Sequence, residues 1–600
     1  MEIVNYTNIH EMIKTSIDRY AEQKAYRWLN ERGDEESVTW REFYARSIEA
    51  AKGLLRLGIK KGDRIAILSA TSYRWVLCDF ASLSIGSCTV GIYPSSIPRE
   101  CEYIIRHSGA TVIFIENEEQ LEKLRSIKKM IPKVKRVVLF NGIPSHADKW
   151  VMGFDAFLAL GEKTPDAAVK KMGGRVKPSD LAFLVYTSGT TGVPKGVMIT
   201  HDNLIFTAQN IAKCVPIAEG DETFLFLPLA HIFARVDIYA TALFGITLSF
   251  ARSIEHVIDD FQFARPHWFP CVPRVFEKVY FKVLGAVEAK GGIALLIFRW
   301  ALGVGNRVSD LAIVKKPVPL FLGLQYSVAR ALVFKKLQAV LGGRIRFCVS
   351  GAAPLSPYVA KFFHAAGIII LEGYGMTENT SFTNITRMDA IKFGSVGFPA
   401  FALDQRIAKD GEIQYCGRNI MKGYYKMPRE TSLAFTRDGW LKTGDIGQTD
   451  AEGFLFITDR KKDLIITSGG KNIAPALIEG MILESKYINQ ACLIGDRKKY
   501  LSVLLSLDMD NLKRYAERRN IRYGSIEELA AHRLTGELVD RIIAMVNKRL
   551  ASFETVKRFT IVPDFTIEDG LLTPTMKIKR KAVAEKYRIH INAMYDEPTV

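Results

Sequence analysis

The chain lacks several features that would place it quickly. Its eight cysteines are never closer than ten residues apart, so no CxxC pair exists. That removes zinc ribbons and thioredoxin-like redox motifs. Most of these cysteines sit in apolar runs such as Phe347-Cys348-Val349, the setting of reduced, buried thiols. No run of eighteen apolar residues is present, so no membrane-crossing helix is expected. The first residues, MEIVNYTNIHEM, show no basic stretch followed by an apolar one. No secretory signal is therefore expected, and the expected location is cytoplasmic. Internal repeats, zinc-finger spacings and RNA-binding aromatic motifs are also missing, so nucleic acid is not an expected partner.

What is present is a large folded protein with a basic surface. Of its 600 residues 48% are hydrophobic and 24% charged, which excludes a disordered chain. That length exceeds one hydrophobic core, so two or more domains are expected. The formal net charge of +18 attracts anions such as nucleotides, coenzymes or acidic membrane surfaces.

Along the first third, helical and strand patterns alternate. Thr39 and Glu42 have capping-box spacing, Tyr44, Ile48, Ala51 and Leu55 follow on one helical face, and Gly58 ends that helix. Strands are predicted at 64–68, 110–115, 134–140, 181–186, 223–227, 267–272, 345–350 and 368–371. Pro357 opens a helix after Ser356. This alternation predicts an α/β fold of mostly parallel sheets flanked by helices. Residues 284–340 are apolar and basic, a pattern shared by inserted core helices and by helices lying on a membrane surface. Five consecutive charged residues, Asp459 to Asp463, make a solvated turn and a suitable interdomain hinge. A smaller α+β region follows, with a helix from Pro475, strands at 491–494 and 502–507, and a helix capped by Ser525 with Glu528.

The most informative stretch is YTSGTTGVPKG (186–196), with four Ser/Thr hydroxyls, three glycines and one lysine. Glycines let backbone N–H groups approach a ligand, and the hydroxyls and lysine add donors and charge. A phosphate chain is the natural guest. The spacing does not fit a Walker A loop, because Gly192 leads to Val193-Pro194-Lys195-Gly196.

Six further stretches follow in order before the C-terminal region: LPLAHIFAR (227–235), VPRVFEKVY (272–280), SGAAPLS (350–356), EGYGMTE (372–378), GWLKTGD (439–445) and DRKKDLIITSGGKNIAP (459–475). LTPTMKIKR (572–580) closes the series. Together they resemble the adenylate-forming superfamily over nearly the whole chain, and most of all its long-chain fatty acid–CoA ligase branch. The resemblance implies a two-step reaction. A fatty acid carboxylate attacks the α-phosphate of ATP to give acyl-AMP and pyrophosphate; the thiol of coenzyme A then displaces AMP.

Roles follow from the matched positions. Thr187, Ser188, Gly189, Thr190, Thr191, Gly192 and Lys195 match the loop over the β- and γ-phosphates. Tyr374 matches the aromatic stacked on adenine, with Gly351 and Ala352 on the other side and Glu372 and Gly373 in the same motif. Thr377 matches the hydroxyl on the α-phosphate and Glu378 the Mg²⁺ ligand. Asp445 matches the carboxylate on the ribose hydroxyls, Arg460 a second ribose and phosphate contact, and His231 the histidine beside the carboxylate channel. Lys577 matches the lysine that bridges carboxylate and α-phosphate, with Lys579 as its nearest rival. Lys462 falls at the hinge, and Gly469 on the face that meets coenzyme A. The implied organisation is a domain at 1–459, a hinge at 460–462 and a small mobile domain at 463–600.

One position departs from the pattern. Some long-chain members gate the acyl tunnel with an aromatic four residues after the histidine, where this chain has Arg235. That arginine could meet a carboxylate or a lipid headgroup. Other readings remain open: a fatty acyl-AMP ligase loading a carrier protein, a CoA ligase for a different carboxylic acid, or a non-enzymatic acyl-AMP-binding protein. Peripheral membrane contact and a monomeric or homodimeric state are compatible with the sequence.

Overall fold

The computed structural model describes residues 4–144, 148–187, 193–468, 471–573 and 576–595. The chain forms two compact units. The larger holds Met1–Arg406, Gln414–Thr443 and Thr449–Leu455; the smaller holds Ile407–Ile413, Gly444–Gln448 and Phe456–Val600.

Two twisted sheets build the larger unit. The first has seven strands in the spatial order Val151–Gly153, Arg136–Leu139, Val112–Ile115, Arg64–Leu68, Cys88–Ile92, Leu181–Thr187, Lys195–Thr200. All of its neighbours are parallel except the last pair. The second has nine strands. Its parallel centre is Ile369–Tyr374, Phe347–Ser350, Trp268–Cys271, Glu222–Leu225, Thr247–Phe250 and Lys24–Leu29, with antiparallel strands at both edges. Strands such as Ile65–Leu68 and Val112–Ile115 are buried on both faces, which explains their unbroken apolar sequence.

The helices between strands carry their own start signals. Thr39 and Glu42 complete the expected capping box before Trp40–Arg56. Thr200 and Asn203 do the same for His201–Cys214. Pro98, Pro273 and Pro357 occupy first turns, where no N–H partner is needed. Gly91 has a packing role: a Cβ there would lie 2.7 Å from the Cα of Ala230, so glycine lets the His231 loop rest on the seven-stranded sheet.

Residues 273–340 form helices Pro273–Lys290, Gly292–Ile313 and Leu320–Ala329, followed by a π-helical turn and Lys335–Val340. They do not form a closed core. One face of Gly292–Ile313 packs on the helix Pro357–Ala365, joined by a 2.8 Å Ser309–His364 hydrogen bond. The opposite face stays exposed.

The smaller unit has a three-stranded sheet, Ile488–Ile494, Leu501–Leu507 and Val556–Ile561, with the helices Pro475–Leu483 and Arg533–Asn547 against it. A second apolar cluster gathers Leu504, Phe565, Leu572, Val583 and Ile591. The chain is thus an α/β protein with a large unit of mostly parallel sheets and a small α+β unit. Among the described residues no helix is long and apolar enough to cross a membrane.

Candidate active site

The strand Leu181–Thr187 and the strand Lys195–Thr200 are antiparallel, with Thr187 opposite Lys195. Ser188, Gly189, Thr190, Thr191 and Gly192, between them, lie outside the described residues. Lys195 Nζ stands 4.7 Å from the centre of the Tyr424 ring. The Tyr424 hydroxyl donates a 2.8 Å hydrogen bond to Glu378 Oε1. Two expected site residues, Lys195 and Glu378, are therefore joined through a third that the motifs did not single out. Backbone bonds fix this arrangement. Met421 N–H donates to Glu378 O at 2.8 Å, and Tyr425 N–H to Gly196 O at 2.8 Å. Burial and the adjoining carboxylate push the Tyr424 hydroxyl well above its usual range, so it stays a protonated donor.

Glu378 lies on a short 3-10 turn, Thr377–Asn379, at the end of the strand carrying Glu372, Gly373 and Tyr374. Thr377 and Glu378 are both buried. The turn folds tightly on Gly375, where a Cβ would sit 2.0 Å from Ser381 O, so no larger residue fits. Glu378 offers one hard carboxylate oxygen donor. With phosphate oxygens as the remaining ligands, that suits a Mg²⁺ bound with a nucleotide. Among the described residues no cluster of three His, Cys, Asp or Glu side chains forms a cage of its own.

A second group converges beside this turn. Gly351 follows the strand Phe347–Ser350, and a Cβ on it would meet the Phe233 ring at 3.3 Å and Gly373 O at 3.7 Å. Ala352 holds φ +68°, a left-handed conformation that strains alanine. Phe233 belongs to the helix Ile232–Leu243, whose N-cap is His231. His231 Nδ1 accepts from Phe233 N–H at 3.2 Å, which leaves the ring proton on Nε2 in the neutral form. Thr71 clamps the loop before it. Its hydroxyl donates to Leu227 O at 2.7 Å and accepts from Leu229 N–H at 3.1 Å. Gly351, Ala352, Gly373 and His231 thus share one region of the larger unit.

Tyr374 lies 6.2 Å from Tyr415, ring centre to ring centre, and Tyr415 donates to Asn384 Oδ1 at 2.5 Å. Glu372 is buried, and burial pushes its carboxyl up to about 8 despite backbone donors from Gly394 and Leu355. It is therefore neutral near pH 7 and can donate a hydrogen bond.

In the smaller unit Asp445, buried on the strand Leu441–Thr449, pairs with half-exposed Arg460 at 3.2 Å. The two expected ribose contacts are side by side. Lys461 is held by Asp410 at 2.6 Å and Glu412 at 3.2 Å, which leaves Lys462 exposed in the turn. Burial raises the neighbouring Asp459 carboxyl to about 6. Gly469 lies outside the described residues. Lys577 is exposed on a separate turn of the same unit. Its N–H donates to Thr573 Oγ1 at 3.0 Å and its carbonyl accepts from Thr573 N–H at 2.8 Å. Its neighbour Arg580 is committed internally, with both guanidinium arms on Glu479 at 2.5 and 2.6 Å.

Arg235 does not face a ligand. It is 0% exposed, and its guanidinium grips Asp79 of the helix Tyr73–Ser84 with two hydrogen bonds. Tyr239 donates to the same carboxylate at 2.7 Å, and the Phe183 ring centre lies 3.3 Å from the guanidinium carbon. The carboxylate that Arg235 meets is the protein's own. The expectation of a substrate or headgroup contact there is overturned by burial.

The profile described as "AMP-binding enzyme" matches residues 13–425, and that described as "AMP-binding enzyme C-terminal domain" matches 462–599. The chain belongs to the AMP-binding, adenylate-forming enzyme family. This AMP-binding enzyme is 35% identical over 555 residues to the long-chain-fatty-acid–CoA ligase FadD15 of Mycobacterium tuberculosis, covering 91% of this chain and 90% of that one. It is 31% identical over 623 residues to the human long-chain-fatty-acid–CoA ligase ACSBG1, covering 98% and 85%. Among solved structures, the anthranilate CoA ligase AuaEII with anthranoyl-AMP superposes with a TM-score of 0.75 at 19% identity, covering 98% of this chain and 99% of that one. The adenylation domain of a carboxylate reductase from Mycobacterium chelonae superposes at 0.76 and 22% identity, covering 98% and 91%. At those identities the structures establish the fold alone.

Tyr424 is the residue that motif reading of this AMP-binding enzyme missed. The KGYYK run at 422–426 gives no local sign of this contact, because the partner lies 46 positions away. ATP and coenzyme A are the substrates that the family uses.

Proposed function

We propose that this enzyme is a long-chain fatty acid–CoA ligase that acts through an acyl-AMP intermediate. The joined Lys195, Tyr424 and Glu378 side chains, beside Thr377 and opposite Thr187, carry the reading. They bring together one cation and one hard carboxylate, the latter held by the Tyr424 hydroxyl, and these are groups that a nucleoside triphosphate would use. The substrate class is supported by the relatives, which are named long-chain-fatty-acid–CoA ligases at 31–35% identity over most of the chain.

In the first step a fatty acid carboxylate oxygen attacks the α-phosphorus, and the bond to the β-phosphate oxygen breaks to release pyrophosphate. Thr187, Lys195 and residues 188–192 hold the departing phosphates, and Thr377 donates to the α-phosphate. Lys577 brings positive charge to the attacking carboxylate and α-phosphate, where negative charge accumulates. His231 Nε2–H orients the carboxylate. Glu378 would hold a Mg²⁺ ion, which would supply positive charge to the phosphates. Tyr374, with Gly351, Ala352, Glu372 and Gly373, receives adenine, and Asp445 and Arg460 receive the ribose. In the second step the thiolate of coenzyme A attacks the acyl carbon and AMP leaves. Lys462 is the hinge, and the face around Gly469 meets coenzyme A. The proposed hinge at 460–462 precedes the mobile domain, 463–600, that supplies Lys577.

The test is pyrophosphate release with ATP, Mg²⁺ and carboxylic acids from acetate to oleate, with and without coenzyme A. Turnover that rises with chain length and requires coenzyme A is expected. Release that coenzyme A does not turn into repeated turnover would assign the enzyme to carrier-protein loading. Turnover on short acids alone would overturn the long-chain reading.

A further inference from the structure

We infer that the helices Gly292–Ile313 and Leu320–Ala329 form a docking surface for an anionic lipid bilayer. The observation is an apolar surface that nothing in the larger unit covers. On the first helix Ile293, Leu296 and Trp300 are exposed at helical spacing, and Ile293 is 75% exposed. On the second Leu320, Phe321 and Leu324 are exposed at 83%, 73% and 60%. The chain joining them, from Val314 to Pro319, is exposed throughout. Each helix buries its other face: Phe298, Ala301 and Val304 on one, Leu322 and Ala329 on the other. A 3.1 Å Arg307–Gln325 hydrogen bond ties the two together. The exposed residues are therefore one side of a packed pair, not the fraying of a loose one.

Charge identifies the occupant. Between positions 290 and 336 the sequence has eight Lys and Arg residues and one acidic residue, Asp310. All eight are exposed, and Asp310 is paired with Lys361 at 2.6 Å. A second copy of the chain pairing through the same patch would set these cations against themselves, which disfavours a symmetric dimer. A bilayer of anionic phospholipid supplies both an apolar interior for Trp300, Leu320 and Phe321 and negative headgroups for Arg299, Lys315 and Lys316. Neither helix is long and apolar enough to cross a membrane, so the pair lies in the interface.

The experiment is co-sedimentation of the full-length protein with phosphatidylcholine vesicles, with and without phosphatidylglycerol. Binding to the phosphatidylglycerol vesicles, weakened by salt, is expected. The Leu320→Asp/Phe321→Asp variant should bind them at least about tenfold more weakly. Lys315→Glu/Lys316→Glu should lose the preference for anionic vesicles, also by about tenfold. Both variants change exposed positions and should keep the parent unfolding temperature. Equal binding to both vesicle types, undiminished binding by the Asp variant, or no vesicle binding at all overturns the proposal. A Phe321-dependent dimer in sedimentation, without vesicle binding, assigns the surface to a second copy and overturns it as well.

Discussion

At the scale of single residues, the site depends on a side chain whose role is to hold another. Tyr424 donates to one oxygen of Glu378, which leaves the second for the proposed Mg²⁺. Tyr424→Phe should therefore raise the Mg²⁺ concentration needed for half-maximal pyrophosphate release by about 10-fold or more, the usual size of an outer hydrogen bond to a metal ligand. Glu378→Ala should cost far more, and unchanged turnover in that variant would remove Glu378 from the metal site. A second residue gives a pH signature. Glu372 is raised from 4.5 to about 8 by burial. Below the lower value folded and unfolded chains are both protonated there. Between the two values only the folded chain holds the proton, so stability is lost as pH rises, by about 1.4 kcal/mol per pH unit for one group. Glu372→Gln cannot ionise. Its stability relative to the parent, from urea unfolding at roughly pH 5.5 and pH 7.5, should rise with pH; a constant difference would show that Glu372 is ionised in the fold. The motifs pointed to Glu378 and Glu372 as candidate site residues, and the fold buries both on one strand and the turn that follows it. Neither the Tyr424 contact nor the carboxyl shift was legible, because both arise from chain brought together by folding.

At the scale of elements, much of the framework was written in local signals. The capping box at Thr39, the apolar run at Arg64–Leu68 and the proline at 357 each specify a structure within a few residues. The hairpin Lys24–Leu29 with Glu35–Thr39 was not legible, because its exposed strand EESVT carries little apolar pattern and owes its pairing to the sheet edge. Arg235 shows the same limit. As sequence it is a charge in an apolar helix; in the fold it ties the helix Ile232–Leu243 to Tyr73–Ser84 through Asp79. Both partners are fully buried. Removing Arg235 leaves the Asp79 carboxylate buried with no counter-charge and only the Tyr239 hydroxyl as donor, so Arg235→Leu should destabilise the larger unit by about 3–5 kcal/mol in urea unfolding. The Arg235→Leu/Asp79→Leu double variant should recover a large part of that loss, less the hydrogen bond that Tyr239 gives up. Equal losses in single and double variants would mean that packing of the helices, rather than the charge pair, holds this region.

At the scale of the whole molecule, the residues proposed to handle ATP belong to two units. Thr377, Glu378 and Lys195 belong to the larger; Asp445, Arg460 and Lys577 belong to the smaller. Lys577 is exposed, and its backbone is paired with Thr573. Arg580 cannot serve in its place, because Glu479 holds it inside the smaller unit. A lysine that acts only where carboxylate meets phosphate contributes to adenylation and nothing to thioester formation, which involves an acyl carbon and a thiolate. Lys577→Ala should thus lower acyl-AMP formation by at least about a hundredfold, the scale of removing one positioned charge-stabilising group. The same variant given acyl-AMP and coenzyme A should form thioester at close to the parent rate. Lys579→Ala should leave both steps near the parent rates. Equal loss of both half-reactions in Lys577→Ala would mean that the lysine holds the smaller unit's structure or serves a single arrangement of the two units. Loss in Lys579→Ala alone would transfer the role two residues along the chain. The two half-reactions measured on these two variants therefore separate a lysine used for one step from one used for both.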